Sequence, residues 1–307
     1  MLDFIFAKLL FTLQLNADYP DPYALYGIRE DFMKTLRAAS CSQDGICETC
    51  GAKTRCAFHN TFSQDLSDDP AAVKHHQKPP PPFAMEFPCL SANFSSGEVV
   101  EIGLTLAGSA VNHVAEYITS ARALFADDNP AAKLGGRIIK VESLTCSGSR
   151  HLVMGDPGTV SLDCVATISS RDLMEMNTLD REQIKLSILS PMRIFKDGKP
   201  LRNFSFSPFF RALMRRISSL AYHYYRSGFG IDYKGLASSS MEVETVASDF
   251  YWVDLQERPG SERVCGLMGN GVFKGRMEDF HLFLLLGEYL NAGKGATFGL
   301  GQFKVER

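Results

Sequence analysis

The chain has 307 residues, 45% of them hydrophobic and 22% charged, a composition that excludes disordered and fibrous proteins and allows a sizeable buried core. Its net charge of −3 is uneven, because residues 1–180 carry −8 and residues 181–307 carry +5. This charge balance excludes a nucleic-acid-binding protein that is basic over its whole surface. The asymmetry fits a protein that binds an anionic partner through one half of its chain, although chance variation between the halves gives the same asymmetry.

The N-terminal segment is apolar and alternating. Residues 4–15 predict a β-strand rather than a signal peptide, because Asp3 and Lys8 interrupt the apolar pattern. No stretch is long and apolar enough to cross a membrane, so we expect a cytoplasmic protein without a membrane partner. In that reducing compartment the eight cysteines are expected to be metal ligands or small buried hydrophobes rather than disulfides.

A helix is predicted next. Asp21 and Pro22 are typical of a helix cap and first helical position. One predicted face is apolar and carries Leu25, Ile28, Phe32 and Leu36. The opposite side is predicted to carry Tyr26, Lys34 and Arg37.

Residues 40–62 form a cysteine-rich module. Four thiols follow the pattern C-x5-C-x2-C-x5-C, at Cys41, Cys47, Cys50 and Cys56. Tetrahedral zinc binds such a set, and a closed site of four thiolates is structural because no position is left for a catalytic water. His59 is a spare ligand. The spacing differs from that of common zinc fingers, so an iron–sulfur cluster and unligated cysteines stay open as alternatives.

The rest of the chain predicts alternating strands and helices. Residues 64–83, rich in proline and acids, are predicted to be a linker or loop because they cannot bury apolar surface. The predicted strands are 99–106, 137–144, 151–154, 160–168, 185–189, 243–255, 264–273 and 302–306. The further predicted helices are 109–125, 209–225 and 277–290. This order is that of the split βαβ, ferredoxin-like unit. We predict two α+β domains, residues 1–157 and residues 158–307.

The predicted helix 209–225 has an arginine-bearing side. Its apolar side carries Leu213, Ile217, Leu220 and Tyr224. The opposite side carries Arg211, Arg215, Tyr222 and Arg226. Arginines with an interposed aromatic suit RNA phosphates and unstacked bases. A solvated helix face has the same pattern, and taken alone the pattern favours that interpretation.

A glycine-rich loop occupies residues 293–301, Gly-Lys-Gly-Ala-Thr-Phe-Gly-Leu-Gly. Such a backbone can approach a phosphate closely and direct its N–H groups at it. The loop follows a predicted helix and precedes a predicted strand, the reverse of a P-loop or Rossmann loop, which argues against ATP or NAD. A tight turn that needs positive φ explains two of the glycines but less easily all four.

The spacing of the seven histidines indicates no catalytic grouping of the Ser/His/Asp or Cys/His kind. His223 lies beside the arginine side of its helix. His113 and His281 fall in predicted helices, where packing or surface roles are commoner than catalysis.

The C-terminal sequence resembles a known family. Residues 283–290, Phe-Leu-Leu-Leu-Gly-Glu-Tyr-Leu, and the glycine-rich loop through Phe303 are similar to the C-terminal signature of the CRISPR repeat-RNA processing endoribonucleases of the RAMP superfamily. Weaker similarity extends over most of the chain, at 50–56, 104–124, 189–193, 197–199 and 209–220.

This resemblance implies a tandem of ferredoxin-like (RRM-like) domains, here with a small four-cysteine metal-binding insertion. The implied substrate is the repeat of a CRISPR precursor transcript, and CRISPR effector subunits are further partners. The implied cleavage uses no catalytic metal: a ribose 2′-OH attacks the adjacent phosphate and leaves a 2′,3′-cyclic phosphate and a 5′-OH. The RNA-binding candidates in the loop are Gly293, Gly295, Thr297, Phe298, Gly299 and Gly301.

The catalytic groups depart from the family pattern. The chemistry needs a base, an acid and a cation over the phosphate. Many relatives carry a histidine immediately before the glycine-rich loop, whereas this chain has Asn291 there. The hypothesis places Tyr26, Arg29 and Lys294 around the scissile phosphate, with His223 in reserve.

Two other functions stay open. A subunit that holds processed guide RNA in an effector complex without cutting it fits the absent histidine. A zinc-ribbon nucleic-acid protein unrelated to CRISPR would bind in a zinc-dependent manner without specificity for the repeat.

Overall fold

The computed structural model describes residues 2–19, 24–41, 46–66, 78–88, 94–126, 135–155, 158–196, 198–226, 228–255 and 264–307. The chain divides into two compact units. We call Phe6–Thr167 the N-terminal unit, and Ile168–Arg307 together with Met1–Ile5 the C-terminal unit.

The division after Thr167 lies later than the domain boundary predicted at residue 157. The amide of Ala166 donates to Ser143 Oγ at 2.9 Å, which ties the intervening segment to the N-terminal unit. The first residues join the C-terminal unit because the amide of Phe4 donates to Ser170 Oγ at 2.9 Å.

The N-terminal unit is built on an antiparallel sheet. Its strands are β1 (Ile5–Leu15), β2 (Phe83–Glu86), β3 (Val99–Ala107), β4 (Gly136–Leu144) and β5 (Arg150–Met154). The strand order is β2-β3-β1-β4-β5. The helices are α1 (Arg29–Ser40), α2 (Ala57–Phe62) and α3 (Val114–Phe125).

Aromatic packing joins these helices to the sheet. Phe32 and Leu36 of α1 are buried, as predicted. The Phe32 ring lies 5.3 Å from that of Phe83 on β2 and 6.2 Å from that of Tyr117 on α3. Burial raises the pKa of Tyr117, whose hydroxyl shares a 2.7 Å hydrogen bond with that of Thr61. Burial of such large rings supplies much of the stability of a core.

The first helix begins later than predicted. Residues 24–27 form a 3-10 turn, and α1 starts only at Arg29. Because a 3-10 turn has about three residues per turn, it rotates its side chains away from α-helical positions. Tyr26, predicted on the polar side, is therefore buried. The predicted cap at Asp21 and Pro22 lies outside the described residues.

The C-terminal unit holds a second antiparallel sheet with the strand order β10-β11-β7-β12 and a two-stranded hairpin of β8 and β9. The strands of this unit are β6 (Ile168–Ser169), β7 (Gln183–Met192), β8 (Phe195–Lys196), β9 (Lys199–Pro200), β10 (Glu244–Leu255), β11 (Val264–Lys274) and β12 (Phe303–Glu306). The helices are α4 (Ser170–Glu175), α5 (Phe206–Tyr225), α6 (Tyr233–Ser239) and α7 (His281–Leu290).

Phenylalanines form the core between α5, α7 and this sheet. The Phe210 ring of α5 lies 4.6 Å from that of Phe280, directly before α7. Phe209 packs edge-on against Phe303 of β12, with ring centroids 5.2 Å apart. The helices predicted at 209–225 and 277–290 and the strands predicted at 185–189, 243–255, 264–273 and 302–306 are thus confirmed, and with them the α+β class.

Two parts of the sequence prediction were wrong. Residues 160–168 were predicted as a strand, but they contain a lone bridge at Val160 and a 3-10 turn at Leu162–Cys164. Leu162 lies in this 3-10 turn and is exposed, so it is not the buried side of a strand. The following helix α4 was missed, although Ser169 and Asp172 form a capping box that is readable in the sequence. Of the predicted loop 64–83, residues 67–77 lie outside the described ranges.

His281 is buried in its neutral form. A carbonyl can only accept, so Nε2 donates to Asp180 O at 3.1 Å, and Nδ1 accepts from Asn177 Nδ2 at 2.8 Å. Burial lowers the pKa of His281 below its usual 6.5. Between the folded and unfolded pKa values the unfolded chain binds the extra proton, so this contribution to stability is full above about pH 6.5 and falls with acidification.

We therefore expect the melting temperature of the wild-type chain to fall between about pH 7.5 and pH 5.5 more steeply than that of His281→Gln, which cannot titrate there. Thermal melts of both proteins across this range measure the difference. Equal slopes would contradict the assignment.

Among the helices that the structure describes, none is both long and apolar enough to cross a membrane.

Candidate functional site

The glycine-rich loop connects the end of α7 at Leu290 to β12 at Phe303, in the predicted helix–loop–strand order. Its four glycines all have positive φ: Gly293 (86°), Gly295 (88°), Gly299 (83°) and Gly301 (71°). A left-handed backbone strains any other residue type. The turn geometry thus explains all four glycines, and not two of them as the sequence suggested.

Close packing against β7 also requires glycine. A Cβ at Gly293 would lie 2.5 Å from Arg193 O, and one at Gly301 would lie 1.8 Å from Ala292 O. The amide of Lys294 donates to Arg193 O at 2.8 Å, and that of Ala292 to Gly301 O at 2.9 Å. The loop is therefore fastened to the residue that follows β7 and closed on itself.

Polar side chains hold the loop from inside. Asn291, at the position where the resemblance implied a histidine, is fully buried and donates from Nδ2 to Ala296 O at 3.0 Å. Ser190 Oγ donates to Gly299 O at 2.7 Å and accepts from the amide of Gln302 at 2.8 Å. Asn291 thus shapes the loop and has no surface to present to a substrate.

The outer surface of the loop is basic and aromatic. Lys294 is exposed, and its Nζ lies 5.5 Å from the ring centroid of Phe195, itself 44% exposed. Gly293, Gly295 and Phe298 are half-buried, whereas Thr297, Gly299 and Gly301 are buried. Six residues of the loop were predicted to bind RNA. The three buried ones shape the loop, and the three half-buried ones face outward together with Lys294.

Arg193 is a candidate that the sequence did not single out. Among the described residues its buried Nε has no hydrogen-bond partner, while part of the side chain is exposed. An unpaired guanidinium N–H is costly to bury, and Arg suits phosphate. The only signal in the sequence was its place at the end of the family-like stretch 189–193.

The arginine side of α5 has the predicted exposure. Arg211, Arg215 and Arg226 are exposed and Tyr222 is half-buried. The apolar residues Leu213, Ile217 and Leu220 are fully buried, whereas Tyr224 is half-buried.

Arg216, which the sequence also missed, holds the end of α7. Its Nε donates to Leu290 O at 2.7 Å, where helix carbonyls lack internal partners. Burial lowers the pKa of Arg216 to about 10, so it stays charged at neutral pH. The cation fixes the start of the glycine-rich loop.

The remaining catalytic candidates lie on different elements. In the N-terminal unit Tyr26 is only 6% exposed and packs edge-on against Phe87, with ring centroids 5.2 Å apart. Arg29, three residues on, is exposed at the first residue of α1. In the C-terminal unit His223 of α5 is half-buried against the ring of Tyr222. The burial of Tyr26 assigns it to packing.

The four cysteines of the predicted metal site line one pocket. Cys41, Cys47, Cys50 and Cys56 share it with His59 and Lys53. Over the described ranges, no three His, Cys, Asp or Glu side chains stand in the close arrangement of a formed metal site. The structure therefore brings the predicted ligands to one place without displaying a completed coordination sphere.

Two family models match the chain. The CRISPR-associated endoribonuclease Cas6 model covers residues 186–303, which include β7, α5, α7 and the glycine-rich loop, and an N-terminal domain model (AF_1859_N) covers residues 4–163. Residues 186–303 therefore carry the domain of this endoribonuclease family. The resemblance inferred from the sequence is confirmed, and the activity of the family is that of an endoribonuclease that processes CRISPR repeat RNA.

Solved structures of Cas6 proteins share the fold over nearly the whole chain. A Cas6 product complex aligns with 99% of this chain and 100% of its own, at 15% identity and a TM-score of 0.56. Thermus thermophilus Cas6 covers 99% of both chains at 15% identity and a TM-score of 0.53. A Cas6-RT-Cas1–Cas2 complex aligns over 99% of this chain but 29% of its own, at 12% identity and a TM-score of 0.56.

The tandem ferredoxin-like fold is thereby confirmed. The sequence has no significant match among curated proteins.

Proposed function

We propose that this protein cuts CRISPR precursor transcripts once in each repeat by intramolecular transesterification, giving mature crRNA. The ribose 2′-oxygen forms a bond to the adjacent phosphorus as the bond from phosphorus to the 5′-oxygen breaks. A base takes the 2′-OH proton and an acid protonates the departing 5′-oxygen. The products are a 2′,3′-cyclic phosphate and a 5′-OH end, and no step uses a metal ion.

The observation that carries this proposal is the outward-facing part of the glycine-rich loop, within the region that matches the family. Gly293 and Gly295 let the backbone come close to a phosphate, and Lys294 supplies an exposed cation between them. Arg193, against which the loop is fastened, supplies a second cation with an unpaired Nε within the described structure. Positive charge already in place stabilises the charge that develops on phosphorus-bound oxygens.

The proton transfers need groups that reach the substrate. Imidazole is the side chain that ordinarily titrates near neutral pH, which favours His223 as acid or base. Arg29 is exposed and can orient or neutralise a phosphate but stays protonated. Tyr26 is buried, and we propose no role for its hydroxyl at the phosphate.

The proposed partner is the CRISPR repeat RNA, bound by the loop and by the arginine side of α5. The exposed set on that side is Arg211, Arg215 and Arg226, with Tyr222 available for stacking. Other CRISPR proteins are further proposed partners, because one similar structure is a Cas6-RT-Cas1–Cas2 complex.

A second function has one specific observation in its favour. Asn291 replaces the histidine of relatives and is committed to the interior of the loop. A chain that holds guide RNA without cutting it needs no acid or base at that place. This alternative predicts tight binding of the repeat and no cleavage.

The deciding experiment incubates the protein with labelled cognate repeat RNA in excess EDTA, beside copies with a single 2′-deoxy substitution at each position. We expect cleavage at one position, abolished by the one deoxy substitution that removes the nucleophile. A cyclic phosphate on the upstream product, detected by mass spectrometry, completes the assignment. Binding without cleavage would support the RNA-holding alternative, and cleavage lost in EDTA would contradict the metal-independent mechanism.

A further inference from the structure

We infer that the pocket between the end of α1 and the start of α2 is a zinc site of four thiolates, with a structural role separate from RNA cleavage. Its ligands are Cys41, Cys47, Cys50 and Cys56, which line that one pocket. Four thiolates with no water position form the closed tetrahedral set of structural zinc.

Local backbone structure brings these cysteines to one pocket. Cys41 directly follows α1, and its amide donates to Arg37 O at 2.8 Å. Cys56 directly precedes α2, and its thiol lies 3.9 Å from Ser40 O, so the two helix ends are adjacent. Cys47 and Cys50 open and close a short turn in which the amide of Cys50 donates to Cys47 O at 3.3 Å.

The thiols that line the pocket can reorient by bond rotation. A cysteine has one side-chain torsion before its sulfur, with three staggered positions. The Cys47–Cys50 pair has the two-residue spacing common to zinc-binding knuckles.

His59 is a second, independent observation that points to a ligand. It lines the same pocket and is buried, and its Nδ1 has no hydrogen-bond partner among the described residues. A buried ring nitrogen without a partner is costly. A metal-bound thiolate would accept the Nδ1–H, as groups around metal ligands commonly require. His59 is thus a positioning residue and not one of the four ligands.

The pocket also carries compensating charge. Four thiolates on Zn²⁺ leave a net charge of about −2. Lys53 lines the pocket and forms a 2.9 Å ion pair with Asp65. Arg37 of α1 lies over the ring of Phe58 of α2, 5.5 Å from its centroid, beside the same pocket. The metal would also join two helices. Its ligands stand at the end of α1, whose first residue is Arg29, and at the start of α2.

The test measures metal in the full-length protein purified without added metal or chelator. We expect about one zinc per chain by elemental mass spectrometry, released in step with modification of about four thiols by a mercurial reagent. The double variant Cys47→Ser/Cys50→Ser should lose the zinc. The matched control Cys146→Ser/Cys164→Ser, whose thiols lie outside the pocket, should keep it.

His59→Ala should keep the zinc but release it at least about tenfold faster to a chelating dye, because it removes only the supporting hydrogen bond. Cobalt substituted for zinc should give the intense thiolate-to-metal absorption of tetrahedral sulfur coordination. Cleavage of RNA in EDTA is a separate readout, so a failure of either proposal leaves the other in place.

Several outcomes would overturn the inference. Wild-type protein without metal, iron with acid-labile sulfide in place of zinc, or equal zinc loss from the Cys146/Cys164 control would each do so. Unchanged zinc release from His59→Ala would remove the role of that residue. The wild-type measurement stands even if the Cys47/Cys50 variant does not fold.

Discussion

Replacing Lys294 with alanine is expected to slow cleavage of the repeat RNA by about 10²-fold, the effect of removing one preorganised group that stabilises charge in a transition state. The lysine is exposed between two glycines of positive φ, and Phe195 holds its ammonium through a cation–π contact. Binding should weaken much less than the rate, since one phosphate contact among several contributes little to affinity. Single-turnover rates with saturating protein separate the two effects.

A closely matched control is Lys304→Ala. Lys304 is also exposed in the C-terminal unit, and its Nζ lies 5.7 Å from the ring centroid of Tyr289, so the variant removes the same charge and the same type of contact. We expect it, and Tyr26→Phe, to cut at nearly the wild-type rate. A Lys294→Ala protein that cuts normally would remove the loop lysine from the mechanism, and a slow Tyr26→Phe would return that hydroxyl to it.

Gly301→Ala is expected to destabilise the C-terminal unit by about 3 kcal/mol or more. A loss of this size is typical of backbone strain combined with overpacking. The residue has φ of 71°, and an added Cβ would lie 1.8 Å from the carbonyl oxygen of Ala292. That carbonyl belongs to the backbone and cannot rotate away as a side chain would. Chemical denaturation measures the loss, and weaker repeat-RNA binding should accompany it.

Gly230→Ala separates the two causes. Gly230 lies in the same unit with φ of 68°, but nothing stands within 4 Å of an added Cβ. The variant should therefore be destabilised only by the left-handed backbone, by about 1 kcal/mol. Equal losses at the two positions would show that the close approach at Gly301 is relieved by a small shift of the loop.

The elements that periodicity predicted well are those buried on one side. In α5 the apolar residues at helical spacing are the ones that the core covers, and the arginines opposite them are exposed. The prediction failed where burial depended on a neighbour that the sequence does not reveal. Residues 160–168 have a strand-like composition but form only a lone bridge at Val160, a 3-10 turn and the first residue of β6, and Tyr26 is buried because a 3-10 turn displaces it.

The functional residues divide in the same way. Cys41, Cys47, Cys50 and Cys56 were predicted as metal ligands by spacing alone, because chelation by neighbouring thiols is a property of short segments. Arg193 and Arg216 were missed, because their importance comes from what lies beside them: the loop backbone for Arg193 and the Leu290 carbonyl for Arg216. Apart from the place of Arg193 in the family-like stretch 189–193, nothing in the local sequence distinguishes these arginines from those on the exposed side of α5.

The sequence by itself determined the α+β class, the resemblance to the CRISPR repeat-RNA endoribonucleases and the helix–loop–strand order of the glycine-rich loop, since each depends on residues near one another in the chain. Only the tertiary structure decided which loop residues face outward. It turned Asn291, Thr297, Gly299 and Gly301 inward and left Lys294 exposed beside Phe195. The physical reason is that burial and close backbone approach arise between segments distant in the chain. Here the backbone of the loop packs against β7 and the residue after it.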